Sequence, residues 1–307
     1  MIKVYKHLDY HYDFECVFRF LDVEYSKDPK SCDYIAMNGS YDYPIFKDVH
    51  ESYKIVYSHL REINIDNLDY LYTQFLIKHP NLKVFALSSF ENFGISDTTI
   101  FDQFELDAWH RIFHKKESIA TRPSDIADKF LFLGGKPNKP NRQPLFDLLC
   151  KKNYIKNGIA TLHNLRNSPD NVHIENNHYL GYPYAEWLYS QTKISLISET
   201  HYKNDELYFP TEKTYRAIAN CHPFIIASTP NFLAQLRSKG YKTFSDLFDE
   251  SYDTEYDEDL RLRKVVRSLK EAMKIPYDKY YDICQYNKSI LARNAQQTLQ
   301  ILNFKLK

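Results

Sequence analysis

The sequence is short of glycine and tryptophan, and its charges cancel. Seven glycines and two tryptophans occur among 307 residues, and no glycines form the G-x-G-x-x-G pattern of a dinucleotide-binding loop. This absence disfavours a nucleotide-sugar epimerase or reductase. Lysine plus arginine and aspartate plus glutamate number 40 each, so no net field attracts nucleic acid or an anionic membrane. A nucleic-acid partner is therefore not expected, although a local basic patch would be compatible with one.

Paired cysteines and long apolar runs are also missing. The five cysteines are scattered and include no C-x-x-C pair, so the sequence predicts neither a disulfide framework nor a zinc site. The first ten residues lack the basic and apolar regions of a signal peptide. No run approaches the ~20 apolar residues that span a bilayer. We therefore expect a cytoplasmic protein with no membrane span.

Aromatic residues are abundant, with 26 tyrosines and 20 phenylalanines. Sugar-stacking surfaces would explain them, and so would the codon bias of an AT-rich genome, which we prefer. A carbohydrate-binding or protein-binding module without catalytic activity would fit the same composition.

Short apolar runs alternate with helical patterns through most of the chain, which indicates parallel sheets covered on both faces. The predicted strands are Ile2–Tyr5, Tyr34–Met37, Lys54–Tyr57, Lys83–Leu87, Phe130–Leu133, Gly158–Leu162, Ile194–Ile197 and Pro223–Ala227. The predicted helices are Leu68–Lys78, Glu105–Phe113, Gln143–Lys151, Ala185–Ser190, Glu212–Asn220, Asn231–Ser238, Glu258–Met273 and Tyr277–Leu302.

A polar stretch, Lys115–Asp128, is the best candidate for a domain boundary because it contains Arg122-Pro123 and little apolar sequence. It predicts domains over residues 1–120 and 121–280. For a C-terminal helix over 281–307, packing across both domains is one possibility.

The segment after the predicted strand at 194–197 holds the strongest functional signal. Helix 212–220 follows that strand, and a helix that follows a parallel strand presents free N–H groups to ligands. Thr211 is the expected N-cap. Glu212 can accept hydrogen bonds from both hydroxyls of a ribose, and Lys213 can reach a diphosphate. A purely structural role is the alternative, because a glutamate also complements the dipole at a helix start.

This segment resembles a known donor-binding motif. Tyr208-Phe209-Pro210-Thr211-Glu212-Lys213, followed by Ala217 and His222-Pro223-Phe224-Ile225, is similar to the Tyr-x-Thr-Glu-Lys motif of α1,3-fucosyltransferases. Either Pro210 is an extra residue or Phe209 takes the tyrosine position. Residues 232–253 are similar to phage and large-virus glycosyltransferases with an exostosin-like donor domain. The resemblance implies the α/β GT-B fold, in which two Rossmann-like domains have parallel sheets facing across a central cleft.

The resemblance also implies roles for individual residues. Glu212 would bind the ribose and Lys213 the diphosphate of a nucleotide sugar, such as GDP-fucose. Arg142, after the strand that ends in Gly134-Gly135-Lys136, would reach the phosphates. Four further donor contacts are expected in the same crevice: Ser198, Glu199, Tyr208 and Thr211.

Inverting glycosyl transfer also needs a base that takes the proton of the acceptor hydroxyl. Glu91-Asn92, after strand 83–87, resembles the Glu-Asn that supplies the proposed base in fucosyltransferases. Asp9, His11 and Asp13, which follow the first strand, are the competing candidates. The expected acceptor is a glycan, with a modified DNA base as the alternative.

No metal or other cofactor is expected beside the nucleotide sugar, which is a substrate. Asp257-Glu258-Asp259 contains a D-x-D pattern, but it opens a helical run, where acidic residues complement the dipole. We interpret it as a helix start. His163 and His222 have no partners at the spacing of metal ligands.

Overall fold

The computed structural model describes residues 1–6, 17–38, 54–59, 81–87, 98–111, 128–135, 139–162, 186–204 and 207–306. The chain divides into two compact units. Unit 1 comprises Met1–Leu106 and Gln296–Lys307, and unit 2 comprises Asp107–Ala295. The predicted boundary near residue 120 lies outside the described residues and stays a prediction, as does the helix predicted at 68–78.

Unit 1 contains a six-stranded sheet in the order β2-β1-β3-β4-β5-β6, and every neighbouring pair is parallel. The strands are β1 (Ile2–Lys6), β2 (Val23–Ser26), β3 (Tyr34–Asn38), β4 (Ile55–His59), β5 (Leu82–Leu87) and β6 (Thr98–Phe101). Helix α1 follows at Gln103–Trp109. Buried side chains of Val4, Ile35, Ile55 and Phe85 contribute to the core of this unit.

Unit 2 contains a four-stranded parallel sheet in the order β10-β9-β7-β8. Its strands are β7 (Phe130–Gly135), β8 (Gly158–Leu162), β9 (Ile194–Ser198) and β10 (Phe224–Ala227). Every residue of β9 and β10 is buried. Burial on both faces explains why β10 is apolar throughout and why β9 contains only apolar residues and two buried serines, as is usual for parallel strands covered by helices.

Helices connect and cover these strands. They are α2 (Arg142–Lys151), α3 (Glu186–Ser190), α4 (Glu212–Ala219), α5 (Phe232–Ser238), α6 (Glu258–Ala272) and α7 (Asp278–Leu306). In α6, the buried Leu262, Val265, Val266 and Leu269 recur at helical spacing on one face. The Asp257 side chain accepts a hydrogen bond from the backbone N–H of Leu260, at 2.8 Å. The interpretation of Asp257-Glu258-Asp259 as a helix start is therefore confirmed.

The last helix, α7, begins in unit 2, and its final turns belong to unit 1. The Tyr34 hydroxyl on β3 donates a hydrogen bond to the carbonyl of Leu306, at 2.8 Å, and the Lys83 ammonium donates to the carbonyl of Lys305. These bonds satisfy carbonyls that the end of a helix leaves without internal partners. No helix of the described chain is long and apolar enough to cross a membrane.

The predicted α/β class, with two Rossmann-like units built on parallel sheets, is confirmed. Ten strands are described, eight of which the sequence predicted to within two residues at each end. The other two, β2 and β6, were not predicted, and both are edge strands of unit 1.

Candidate functional site

The strand order of unit 2 identifies where a ligand is expected. From β7, the chain adds β8 on one side and then β9 and β10 on the other side. The direction of the crossovers therefore reverses between β7 and β9. Open α/β sheets bind ligands beyond the carboxyl ends of their strands at this reversal. The ends of β7 and β9 are accordingly the first place to look for functional residues.

At the end of β7, a glycine lies against an arginine. Gly135 has a left-handed backbone with φ of 63°, and the pairing with β8 shifts register between Leu133 and Gly135. A Cβ atom at Gly135 would lie 3.4 Å from Nη1 of Arg142. Arg142 is the first residue of α2 and is buried. Glycine is favoured here both because of its backbone conformation and because of the close guanidinium.

Asn141 ties the ends of neighbouring strands together. Its side-chain Nδ2 donates to the carbonyl of Glu199, at 3.1 Å, and to the carbonyl of Ala227, at 3.2 Å. Glu199 directly follows β9 and Ala227 ends β10. Because Asn141 immediately precedes α2, these two bonds fix the start of α2 against both strand ends.

At the end of β9, Ser198 and Glu199 are completely buried. The carboxylate of Glu199 accepts three hydrogen bonds from the start of α4. The backbone N–H of Thr211 donates to Oε1 at 3.0 Å, and its hydroxyl donates to Oε2 at 2.6 Å. The hydroxyl of Thr214 donates to Oε1 at 2.5 Å. The Glu199 side chain is therefore directed at the first turn of α4.

Thr211 is the N-cap of α4, as predicted. Its hydroxyl oxygen accepts a hydrogen bond from the backbone N–H of Lys213, at 3.4 Å, and another from Nζ of Lys213, at 3.0 Å. One hydroxyl thus donates to Glu199 and accepts from Lys213. This arrangement uses the hydrogen and both lone pairs of the hydroxyl group.

Glu212 and Lys213 lie side by side at the start of α4. Nζ of Lys213 is 3.2 Å from Oε1 of Glu212 and 3.9 Å from Oε2 of Glu199. Burial would raise the pKa of Glu212, but the positive charges of Lys213 and Arg216 outweigh it and lower this pKa to about 2. Glu212 is therefore a carboxylate at neutral pH. A third of its side chain is exposed, at 33%, which leaves room for it to accept further hydrogen bonds.

Two aromatic residues precede this helix, and they differ in exposure. Tyr208 is partly exposed, and its ring packs on Phe232 with centroids 4.8 Å apart. Nζ of Lys239 lies 5.7 Å from the centroid of the same ring, a cation–π distance. Phe209 is buried against His201, with ring centroids 5.2 Å apart. Of the two aromatics, Tyr208 is the one with surface left for a ligand.

The structure brings one group of predicted residues together and does not describe the other. Arg142, Ser198, Glu199, Thr211, Glu212 and Lys213 all follow or adjoin the carboxyl ends of β7 and β9. Asp9, His11, Asp13 and Glu91 lie outside the described residues, as does Lys136. Thr214 and Lys239 were not among the residues expected from the sequence. Thr214 carried a weak signal, because it lies one helical turn after the N-cap.

Two other polar side chains of unit 2, those of His222 and Glu250, have hydrogen-bond partners within the protein. The buried ring of His222 lies between Ser195 and Thr192: Nδ1 is 2.7 Å from the Ser195 hydroxyl, and Nε2 is 2.8 Å from the Thr192 carbonyl. Glu250 accepts hydrogen bonds from the Thr243 hydroxyl and the Phe244 N–H, each at 2.7 Å. Within the described residues, no three His, Cys, Asp or Glu side chains cluster as metal ligands would.

No protein-family model matches the sequence, and no curated protein is significantly similar to it. Solved structures that are similar to this chain include three of α1,3-fucosyltransferases. A crystal structure of an α1,3-fucosyltransferase has 14% identity and a TM-score of 0.44, over 92% of this chain and 80% of that one. An α1,3-fucosyltransferase with GDP has 14% identity and a TM-score of 0.41, and one with GDP-fucose has 12% and 0.40; each covers 94% of this chain and 90% of the other.

Proposed function

We propose that this chain is a glycosyltransferase that binds a nucleotide sugar at the carboxyl edge of the unit 2 sheet. The observation that carries the proposal is the pairing of Glu212 with Lys213 at the start of α4, beside the topological reversal between β7 and β9. A carboxylate and an ammonium at a helix N-terminus offer acceptors for sugar hydroxyls and positive charge for phosphates within one turn.

The donor contacts are assigned by chemistry. Glu212 has two acceptor oxygens and binds the two ribose hydroxyls. Lys213 has three donors and binds the diphosphate, with Arg142 from the start of α2 as a second cation. Tyr208, which is partly exposed, completes the contacts. Ser198 and Thr211 were also expected to contact the donor, but both are buried, and the Thr211 hydroxyl is already bonded to Glu199 and Lys213. GDP-fucose is the donor that the sequence motif favours, and other nucleoside-diphosphate sugars contain the same groups.

The reaction proposed is inverting transfer without a metal ion. The acceptor oxygen forms a bond to the anomeric carbon while the bond from that carbon to the phosphate oxygen breaks. The leaving electron pair goes to the diphosphate, where Lys213 and Arg142 offset its charge. The proton of the acceptor hydroxyl goes to a general base.

Unit 1 supplies that base in this proposal. Glu91 follows β5, and Asp9, His11 and Asp13 follow β1. In the unit 1 sheet the crossover direction reverses between β1 and β3, which supports the residues after β1. Glu91 is supported by the Glu91-Asn92 motif. Turnover measurements on single variants separate these candidates.

A glycan is the proposed acceptor, and a modified DNA base is the alternative.

A thermal-shift screen tests the donor assignment. The protein is heated with UDP, GDP, CMP, dTDP and their common sugar conjugates. A ligand at ~100 times its Kd adds about 2.7 kcal/mol to the stability of the folded state. A raised melting temperature with one nucleoside diphosphate, and no shift in Glu212→Ala, supports the proposal and names the donor class. No shift with any nucleotide contradicts it and favours a carbohydrate-binding module.

A further inference from the structure

We infer that Glu199 is a positioning residue, which acts on the nucleotide through Thr211 and Lys213 and does not touch it. This inference rests on the proposed function. The Glu199 side chain has no exposed surface. Both of its oxygens are directed at the first turn of α4, where they accept the three hydrogen bonds described above.

The first consequence is that the hydroxyl of Thr211 has one orientation. A carboxylate only accepts hydrogen bonds, so the hydrogen of Thr211 Oγ1 must point at Oε2 of Glu199. The lone pairs of the same oxygen then face the backbone N–H and the Nζ of Lys213. Without Glu199, this hydroxyl could rotate and donate elsewhere. The Lys213 ammonium would then lose a fixed acceptor at 3.0 Å.

The second consequence concerns the loop between β9 and α4. Glu199 and Thr211 are twelve positions apart, yet they are joined by two direct hydrogen bonds. The start of α4 is therefore fixed to the end of β9 without depending on the conformation of the intervening loop. These bonds also fix the positions of Glu212 and Lys213, which directly follow Thr211.

The third consequence links the two helix starts that the proposed function uses. The backbone carbonyl of Glu199 accepts from Asn141, which immediately precedes Arg142. The side chain of Glu199 holds Thr211, two positions before Lys213. One buried residue thus sets the separation between the two cations proposed to bind the diphosphate. Such positioning matters because misplaced binding groups lose much of their interaction energy.

An electrostatic role and a positioning role of Glu199 predict opposite changes in nucleotide affinity when the residue is removed. Glu199 carries negative charge 3.9 Å from Nζ of Lys213, so removal of that charge alone would strengthen the binding of an anionic diphosphate. Removal of a positioning residue would weaken it. The sign of the change in affinity therefore distinguishes the two roles.

The test uses the full chain and a matched control. Dissociation constants for GDP and UDP are measured by calorimetry, and melting temperatures separately, for the unaltered protein, Glu199→Ala, Glu199→Gln and Glu250→Ala. Glu250 is the control because it too accepts hydrogen bonds from a threonine hydroxyl and a backbone N–H inside unit 2, but none from α4.

Glu199→Ala is expected to weaken nucleotide binding by about tenfold or more, as befits the loss of charge-assisted hydrogen bonds. Glu199→Gln retains one carbonyl acceptor and replaces the other with an NH2 donor, so it should weaken nucleotide binding less than Glu199→Ala does. Glu250→Ala should lower the melting temperature and leave affinity within about twofold. Equal effects of Glu199→Ala and Glu250→Ala on affinity, or tighter binding in Glu199→Ala, would overturn the inference.

A second pair of variants applies if Glu199→Ala does not fold. Thr214→Val removes one hydroxyl bonded to Glu199, and Thr243→Val removes one bonded to Glu250. Thr214→Val should weaken nucleotide binding about fivefold, the effect of one lost hydrogen bond, and Thr243→Val should not weaken it. Equal affinities would overturn the inference. Failure of the unaltered protein to bind any nucleotide would instead contradict the proposed function.

Discussion

Nζ of Lys213 lies 3.2 Å from Oε1 of Glu212, at the start of a helix that follows a fully buried strand. The two side chains are adjacent in sequence and point to the same place. Each is only partly exposed, at 15% for Lys213 and 33% for Glu212. Because the two charges are close, Lys213 lowers the pKa of Glu212, and the effect on stability can be measured.

The first prediction concerns the pH dependence of stability. The pKa of Glu212 is about 2 in the folded protein, below its ordinary value of 4.5, despite burial and because of Lys213 and Arg216. A lowered folded pKa gives stability that is present above pH 4.5 and is lost as the pH falls towards 2. Glu212→Gln should therefore have a shallower fall in unfolding free energy over that range. The difference should be about 1 kcal/mol, since solvent screens the exposed part of the pair. Urea unfolding at each pH measures it.

Glu271→Gln is the control for that titration, because the Glu271 side chain is 43% exposed and its ion pair with Arg267 is 4.0 Å long. Its pH profile should match that of the unaltered protein. Identical profiles for Glu212→Gln and the unaltered protein would mean that the Glu212–Lys213 pair does not stabilise the fold.

The second prediction concerns Gly135. Alanine there would have a strained backbone at φ of 63° and a Cβ atom 3.4 Å from Arg142. We expect Gly135→Ala to destabilise the protein by about 1 kcal/mol or more and to weaken nucleotide binding as Arg142 shifts. Asn153→Ala is the control, because Asn153 has a similar φ of 56° but lies after α2, at the other end of that helix. It should lose stability and keep its nucleotide affinity. If Gly135→Ala also keeps its affinity, Arg142 does not contribute to binding.

The third prediction tests the metal-independent mechanism. Asp257 caps α6, so Asp257→Ala should cost about 1 kcal/mol of stability and leave transfer activity unchanged. A chelator should also leave activity unchanged. A loss of turnover in Asp257→Ala at a temperature where the protein is folded, reversed by added Mn²⁺, would show that this D-x-D pattern binds a metal ion.

The fourth prediction identifies the general base. Glu91→Gln should retain the donor affinity of the unaltered protein and lose turnover by about a hundredfold or more, since proton transfer to a base contributes at least that much. His11→Gln and Asp13→Asn are measured beside it. Full turnover in Glu91→Gln, with a loss in either of the other two variants, would assign the base to the segment after β1.

The sequence predicted strands that are buried on both faces, and it missed β2, which is not. Strand β10 is apolar throughout and buried at every position, so its pattern was unambiguous. The missed β2 is an edge strand with no fully buried residue, and its Tyr25 is 46% exposed. Strand β2 has one neighbour, and its residues Val23–Ser26 include Glu24 and Ser26, so it lacks a continuous apolar run. Its pairing with β1 depends on tertiary contacts that local sequence does not encode.

The same distinction applies to the site. Thr211, Glu212 and Lys213 are consecutive, so one local motif was enough to predict the cap and the charged pair. The inward direction of Glu199 depends on hydrogen bonds to residues twelve and fifteen positions away. The sequence placed Glu199 at the end of a strand but could not tell a ligand contact from a buried acceptor.

Calorimetric titration with GDP, of the unaltered protein and of Glu212→Ala, tests the central claim most directly. Glu258→Ala is the matched control, because Glu258 is also the first residue of a capped helix in unit 2. The account predicts that the unaltered protein and Glu258→Ala bind GDP, or the nucleoside diphosphate selected by the thermal screen, with the same affinity. It also predicts no detectable binding in Glu212→Ala. Unchanged binding in Glu212→Ala would contradict the account and place the nucleotide elsewhere.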